Sequence, residues 1–518
     1  MATLQHDRLA SRLRSLFALG ADNQAIEGLL AELTAQDIAL VLAELDEQET
    51  LLVFSRINPG LAATVLGAID PERLRFILSE ADLGLLAPRL ALISSDASHI
   101  APHVAEALVD LPADRRLAVF RCLPRVIAAE TFSNLDPETR DALLHSFTDS
   151  DARRVLTDLS PDDRTFLFEE LPGQVTQRLL NLLGPEELKE SRRLLGYPEK
   201  SVGRLMTPEY VAVRDDWTVE QVLRHVREQA KRMRRETYDV LYVTDDRWRL
   251  LDALALQKFV VAAPGSLVRD LMDRSFVAIE AREDQEAAVA AMRRYDVAVL
   301  PVVDSDGVLL GIVTSDDVLD VAEEEATEDF RKMGSVAMAA ESLRDATVAV
   351  LWRARVGWLM ALVVVNVFTG AGIALFESTL EKTIALVFFL PLLIGSAGNA
   401  GSQSATMMVR ALATGDVQIR DWLRLFGREV VVAGSLGATM AAGVAVIASI
   451  RAPEVIAVVA VTMVVVVLIG SLLGMSLPFL LTILKRDPAT ASTPLIASLA
   501  DIVGVLIYFT VASLILGN

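Results

Sequence analysis

The chain of 518 residues has one cysteine, Cys122, five histidines and only 6% aromatic residues. A single thiol excludes disulfides and Cys-cluster zinc sites. It contains no recognisable phosphate-binding loop, aspartyl-phosphate segment or nucleophile–base pair, which argues against an ATP-driven pump and against an enzyme. Residues 1–20 hold no apolar run long enough for a signal peptide, so the polar part is expected in the cytosol. Hydrophobic residues, by contrast, make up 52% of the chain and the mean hydropathy is +0.40, alongside 23% charged residues. The two populations are segregated. Residues 346–518 carry 10 basic and 8 acidic side chains, leaving 39 basic and 61 acidic in residues 1–345, a net charge of −22. A polar part this acidic repels nucleic acid and attracts cations.

Residues 30–190 carry a repeat. Leu111-Pro-Ala-Asp-Arg-Arg116, Leu135-Asp-Pro-Glu-Thr-Arg140, Leu159-Ser-Pro-Asp-Asp-Arg164 and Leu183-Gly-Pro-Glu-Glu187 start 24 residues apart, with half-units at Leu123, Phe147 and Leu171. Each unit reads as short helices, opened by Pro or Asp, that must stack to bury their leucines. Residues 1–196 are therefore expected to form an α-helical superhelix, either a docking surface or a packed spacer. Residues 197–322 hold a different repeat. Leu205-Met-Thr-Pro-Glu-Tyr-Val-Ala-Val213 and Leu271-Met-Asp-Arg-Ser-Phe-Val-Ala-Ile279 each precede a helix and a β-rich run, which begins at Tyr238 and again at Tyr295. That spacing leaves nine extra residues in the first copy, near the basic stretch 231–235. The second copy closes with Asp304-Ser-Asp-Gly307 and Gly311-Ile-Val-Thr-Ser-Asp-Asp317, whereas the first has Arg247-Trp-Arg-Leu-Leu-Asp252 in place of the glycine turn. An acidic helix follows, covering residues 323–350.

Residues 351–518 contain five apolar segments, 356–376, 383–409, 429–450, 454–481 and 492–516, each long enough to cross a hydrocarbon layer of about 30 Å. Eight basic residues before the first segment, between second and third and between fourth and fifth, against Lys382 and Arg451 elsewhere, predict a cytoplasmic N-terminus and an external C-terminus. Gly470/Gly474 and Ala433/Gly437/Ala441 have the spacing that lets helix backbones approach closely.

Asp501 reads as the only ionisable residue deep in an apolar segment, about 14 Å from the start of its helix at 1.5 Å per residue. A carboxylate there points to a permeation or proton site. The second segment holds Pro391 and Gly395-Ser-Ala-Gly-Asn-Ala-Gly-Ser-Gln403, a pattern expected to break the helix, free its carbonyls and supply the amides of Asn399 and Gln403. Donors that are all oxygen suit a hard cation such as Mg²⁺, and one Asp501 per subunit on a two-fold axis would supply two carboxylates. His99 and His103 are spaced as a metal clamp, but a satisfied or exposed pair fits a leucine-rich repeat better.

The second repeat resembles a tandem CBS pair, a fold whose members often sense adenine nucleotides, which makes ATP a candidate ligand there. Over nearly the whole chain the order of parts, with Gly203-Arg-Leu-Met-Thr-Pro-Glu-Tyr210, Glu323-Glu-Glu-Ala-Thr-Glu-Asp329, Gly398-Asn-Ala-Gly-Ser-Gln-Ser-Ala405 and Asp501-Ile-Val-Gly-Val-Leu-Ile-Tyr508, resembles the MgtE family of Mg²⁺ channels. The resemblance implies a multidomain membrane protein: α-superhelical N domain, tandem CBS pair, connecting plug helix and five-helix transmembrane domain. It implies a homodimer in the bacterial inner membrane, taking up Mg²⁺ through a pore on the two-fold axis. Asp501 would hold hydrated Mg²⁺ beside the Ala497 carbonyl, with Asn399, Gln403 and Thr493 lining the path. Thr493 stands where the family often has Asn, and Ala397 where it usually has Gly. Cytosolic Mg²⁺ would close the pore by neutralising Glu286, Asp296, Asp317, Asp320, Glu325, Glu328, Asp329 and Asp487. Candidate N-domain ligands are Asp158, Asp162 and Asp163. The alternative on the same architecture is a Co²⁺/Mn²⁺ or proton-coupled transporter in which Asp501 titrates.

Overall fold

The computed structural model describes residues 13, 28–30, 33–94, 98–229, 239–334 and 347–516. The basic stretch 231–235 and the second half of the expected connecting helix, 335–346, lie outside them. The chain divides into two compact units, residues 1–288 with 297–315 and residues 289–296 with 316–518.

In the first unit, helices of eight to ten residues follow one another from Ala35–Glu44 to Pro185–Leu194. Their starts are written locally. Asn58, Asp70, Asp136 and Ser160 each accept a backbone N–H of the first turn, and each is followed by proline, which fits a position whose N–H has no helical partner. Arg116, Arg140 and Arg164, at the repeat spacing, donate to carbonyls at the preceding helix end: Leu108 (2.8 Å), Leu135 (3.0 Å) and Leu156 (3.1 Å). Guanidinium groups thus satisfy the carbonyls that a helix C-terminus leaves open. Arg125–Ser133 packs on Ala101–Val109 before it and Asp149–Asp158 after it, the next-but-one stacking of an α-superhelix. Repeat positions Leu111, Leu123, Leu135, Phe147 and Leu159 all lie in its continuous core.

The tandem pair forms two three-stranded sheets, β1 (Ala212–Arg214), β2 (Val240–Thr244), β3 (Leu250–Ala255) and β4 (Ile279–Glu280), β5 (Val299–Val303), β6 (Leu309–Thr314). In each, the first strand runs parallel and the third antiparallel to the second, with a bulge at the same place, Val243/Thr244 and Val302/Val303. The copies are in register at Val243 and Val302, two residues away from the Tyr238/Tyr295 match, so the first copy is longer by seven residues rather than nine. The glycine-free turn is conserved in shape: Trp248 takes φ 61° where Gly307 takes 78°. The turns also pair with each other, Leu250 N–H donating to Gly307 O (3.0 Å) and Leu309 N–H to Trp248 O (2.9 Å). Asp252, aligned with Gly311, is fully buried and accepts the N–H groups of Asp273 and Arg274. Its carboxylate therefore fastens the linker between the copies.

The second unit begins with the connecting helix, Ser315–Met333, and holds five helices long and apolar enough to cross a membrane. These are the first span Val348–Ala374, second Ala385–Ala413, third Trp422–Arg451, fourth Ile456–Ile483 and fifth Thr493–Leu516. The second span is one continuous helix through Pro391 and its glycines, so the expected break is absent. The glycines serve close approach instead. A methyl group on Gly401 would lie 2.7 Å from Gly470 O, and one on Gly474 or Gly470 would collide with Gly401 O or Ala397 O. Gly437 likewise meets Val464, its added methyl falling 2.9 Å from that Cα. Small residues set the spacing of second, third and fourth spans, as in membrane bundles where backbone contact replaces a hydrophobic driving force.

Candidate functional site

Asp501 lies two turns inside the fifth span, one turn beyond Ala497. It is half-buried, and no hydrogen bond or ion pair reaches its carboxylate among the described residues. Within a continuous helix the Ala497 carbonyl accepts the Asp501 N–H, leaving one lone pair for an ion. The second span is brought against this turn by Gly398, where a methyl group would lie 3.4 Å from Ala497 and 3.6 Å from Asp501 Oδ1. Asn399 and Gln403, one turn apart on the second span, are exposed in the single chain. Thr493 opens the fifth span, and its carbonyl accepts a long bond from Ser402 Oγ (3.4 Å). One stretch of the second span and the first turns of the fifth thus supply carboxylate, carbonyl, amide and hydroxyl oxygens, a donor set suited to a hydrated hard cation.

The expected sensor carboxylates are spread more widely. Glu286 is exposed in the first turn of Gln285–Tyr295, and Asp296 follows that helix with φ 52°. Asp317, Asp320, Glu325, Glu328 and Asp329 lie along the connecting helix. No group of three or more His, Cys, Asp or Glu among the described residues is gathered closely enough to hold a metal ion. At the end of the connecting helix a lysine takes that place. Lys332 Nζ is 2.5 Å from Glu328 Oε1 and 2.5 Å from Asp487 Oδ2, and Asp487 also accepts the Ala489 N–H (2.8 Å). Burial works against the charged ammonium, but the bonds to Asp487 and Glu328 outweigh it and hold Lys332 above the usual lysine range. Asp329 is pushed up by burial and by Asp487, Glu325 and Glu328 nearby, with Lys332 opposing. Lys332 thus bridges Glu328 and Asp487 in a neighbourhood that is acidic on balance.

The remaining candidates have structural partners. His99 Nε2–H donates to Gly67 O (3.0 Å), so the histidine pair needs no metal. Asp158 pairs with Arg125 (3.0 Å), and Asp163 accepts from Ser133 Oγ (3.0 Å). Asp501 has company that the sequence reading passed over. Glu429 lies two turns inside the third span, taking hydroxyl bonds from both neighbouring helices. Lys332 was legible as an (i, i+4) partner of Glu328; its reach to Asp487 was not.

Residues 390–511 match the family described as a divalent cation transporter, residues 100–200 the MgtE intracellular N domain and residues 268–324 a CBS domain. The magnesium transporter MgtE of Thermus thermophilus is 42% identical over 411 residues, 79% of this chain and 91% of that protein. That of Bacillus subtilis is 33% identical over 336 residues, 64% of this chain and 74% of its own. A crystal structure of the cytosolic domain of the Mg²⁺ channel MgtE in complex with ATP is 36% identical, covering 49% of this chain and 95% of that one, with a TM-score of 0.41. With identity of this extent and all three family segments in order, the chain belongs to the MgtE family of magnesium transporters.

Proposed function

We propose that this protein is a homodimeric channel for Mg²⁺ uptake across the bacterial inner membrane, closed by cytosolic Mg²⁺. The observation that carries the reading is Asp501, a carboxylate in mid-span with no protein partner among the described residues. Holding such a charge in hydrocarbon is costly, so it persists where water or a passing cation compensates. Two copies across a two-fold axis supply two carboxylates, as many as Mg²⁺ takes while keeping most of its water. Ala497, Asn399, Gln403 and Thr493 offer neutral oxygens along the same path, enough to orient the hydration shell without trapping the ion. Transport is passive, driven by the gradient and the membrane potential, with ATP a candidate ligand of the CBS pair.

Closure rests on the acidic set Glu286, Asp296, Asp317, Asp320, Glu325, Glu328, Asp329 and Asp487. When unscreened, these carboxylates repel one another; Mg²⁺ bound among them favours the packed, closed arrangement. The gate works to the extent that the ion binds the closed state more tightly than the open one.

The test is Mg²⁺ flux into liposomes holding the purified protein, wild type and Asp501→Ala, with cytosolic-face Mg²⁺ stepped from micromolar to about 10 mM, a range spanning weak divalent sites. Flux abolished by the substitution and shut by cytosolic Mg²⁺ supports channel and gate. Unchanged flux in Asp501→Ala overturns the pore. A wild-type flux that carries protons stoichiometrically, lost in Asp501→Asn, favours the proton-coupled transporter.

A further inference from the structure

Hydroxyl groups in these spans ordinarily bond to the carbonyl one turn back. Ser396 donates to Leu392 O (2.7 Å), Thr406 to Ser402 O (2.9 Å), Thr482 to Pro478 O (2.9 Å) and Thr510 to Leu506 O (2.6 Å). This local bond is the default that a helix offers serine and threonine. Ser404 of the second span and Ser471 of the fourth depart from it. Ser404 Oγ donates to Glu429 Oε1 of the third span at 3.0 Å, and Ser471 Oγ donates to the same oxygen. Both serines are buried, at 2% and 3% exposure. They sit where second and fourth spans touch most closely: Ser404 lies one turn beyond Gly401, and Ser471 directly follows Gly470.

We propose that Glu429 is a positioning residue for the transport path, a carboxylate clamp that fastens the second span to the fourth and so holds Gly398 against Asp501 and Ala497. The inference rests on the reading of Asp501 as the pore ligand. A carboxylate accepts both hydroxyl bonds through one oxygen, and such charge-assisted bonds are stronger than the backbone bonds the serines give up. Helices in a membrane have no hydrophobic force pressing them together, so polar contacts of this kind help hold them at the spacing that the small residues permit. Gly398 brings the backbone of the second span close to Asp501 and Ala497. Any slackening of that span therefore changes the space available to an ion and its water, and with it affinity and selectivity, without removing a ligand.

The experiment is Mg²⁺ uptake by the full chain in liposomes, titrated with external Mg²⁺ and repeated with Ca²⁺ as competitor. Ser404→Ala, Glu429→Gln, Glu429→Ala and the control Asp501→Ala are compared at equal reconstituted protein. Ser404→Ala cuts only the bond to the second span and leaves Glu429 its bond from Ser471, so it tests the clamp even where Glu429→Ala does not fold. Ser404→Ala is expected to raise the half-saturating Mg²⁺ concentration roughly fivefold, the scale of one lost polar bond, with weakened discrimination against Ca²⁺. Glu429→Gln, whose amide oxygen still accepts both hydroxyls but without the charge, is expected to fall no further from wild type than Ser404→Ala. Wild-type half-saturation and selectivity in Ser404→Ala overturn the clamp, as does Glu429→Gln failing while Ser404→Ala is silent. If Asp501→Ala transports normally, the pore assignment itself has failed, a result readable apart from the serine variant.

Discussion

At the scale of single residues, the second unit contrasts two acids that resemble each other in sequence. Asp501 has no protein partner among the described residues, whereas Glu429 is held by two hydroxyls. An acid inside an apolar stretch announces itself by the cost of its charge, and Asp501 did so. Glu429 stood beside Arg428 at the edge of the third apolar stretch, where an acid reads as the end of a span. Lys332 carries a consequence of its own. It is the cation that now links the connecting helix to the turn before the fifth span, through Glu328 and Asp487. Lys332→Met leaves those carboxylates and Asp329 mutually repelling. Amide hydrogen exchange over residues 325–333 should then rise in Mg²⁺-free buffer and fall back when Mg²⁺ is added. Exchange equal to wild type would show that the lysine contributes nothing to holding the helix.

At the scale of elements, glycine is where pattern and packing part ways. Gly395, Gly398 and Gly401 in one span fit either a broken helix or a closely packed one, because both need a residue without a side chain. The neighbours decide: Gly401 faces the backbone of Gly470 and Gly474 faces that of Gly401, whereas Gly395 meets nothing within 4 Å. Gly474→Ala is therefore expected to cost about 3 kcal/mol or more through overpacking, seen as lost monodispersity in detergent. Gly443→Ala, with nothing within 4 Å of the added methyl, is expected to purify and transport as wild type. The CBS pair teaches the same lesson in reverse. The first copy lacks the glycine of its turn, yet Trp248 enters the left-handed region and keeps the hydrogen bonds that join the copies. Asp252 is legible only as a misfit in sequence; in the fold it is a buried acceptor for the linker.

At the scale of the whole molecule, charge separates an acidic polar part from a nearly neutral apolar part that holds the five candidate spans. The charge bias between spans predicts that the connection of first and second lies outside and that of second and third inside. The single native thiol makes this easy to check. In a Cys122→Ser background, Glu381→Cys should react with a membrane-impermeant maleimide in intact cells, and Asp416→Cys only after permeabilisation. The opposite labelling would invert the predicted orientation and place the proposed acidic sensor on the wrong side for a gate reading cytosolic Mg²⁺.

Periodicity and composition were enough for the superhelix, the two β-rich copies, the five spans and the position of Asp501 inside the fifth, because each follows from local physics. Helix starts are written by Asp, Ser and Pro next to one another, repeats by spacing, spans by about 20 apolar residues in a row, and a misplaced charge by its solvation cost. Tertiary structure alone decided the continuity of the second span, the register of the CBS copies, the lysine between Glu328 and Asp487 and the clamp at Glu429. Each depends on which backbone or side chain from a distant segment comes within a few ångströms, and distance across the fold is what a linear pattern does not encode.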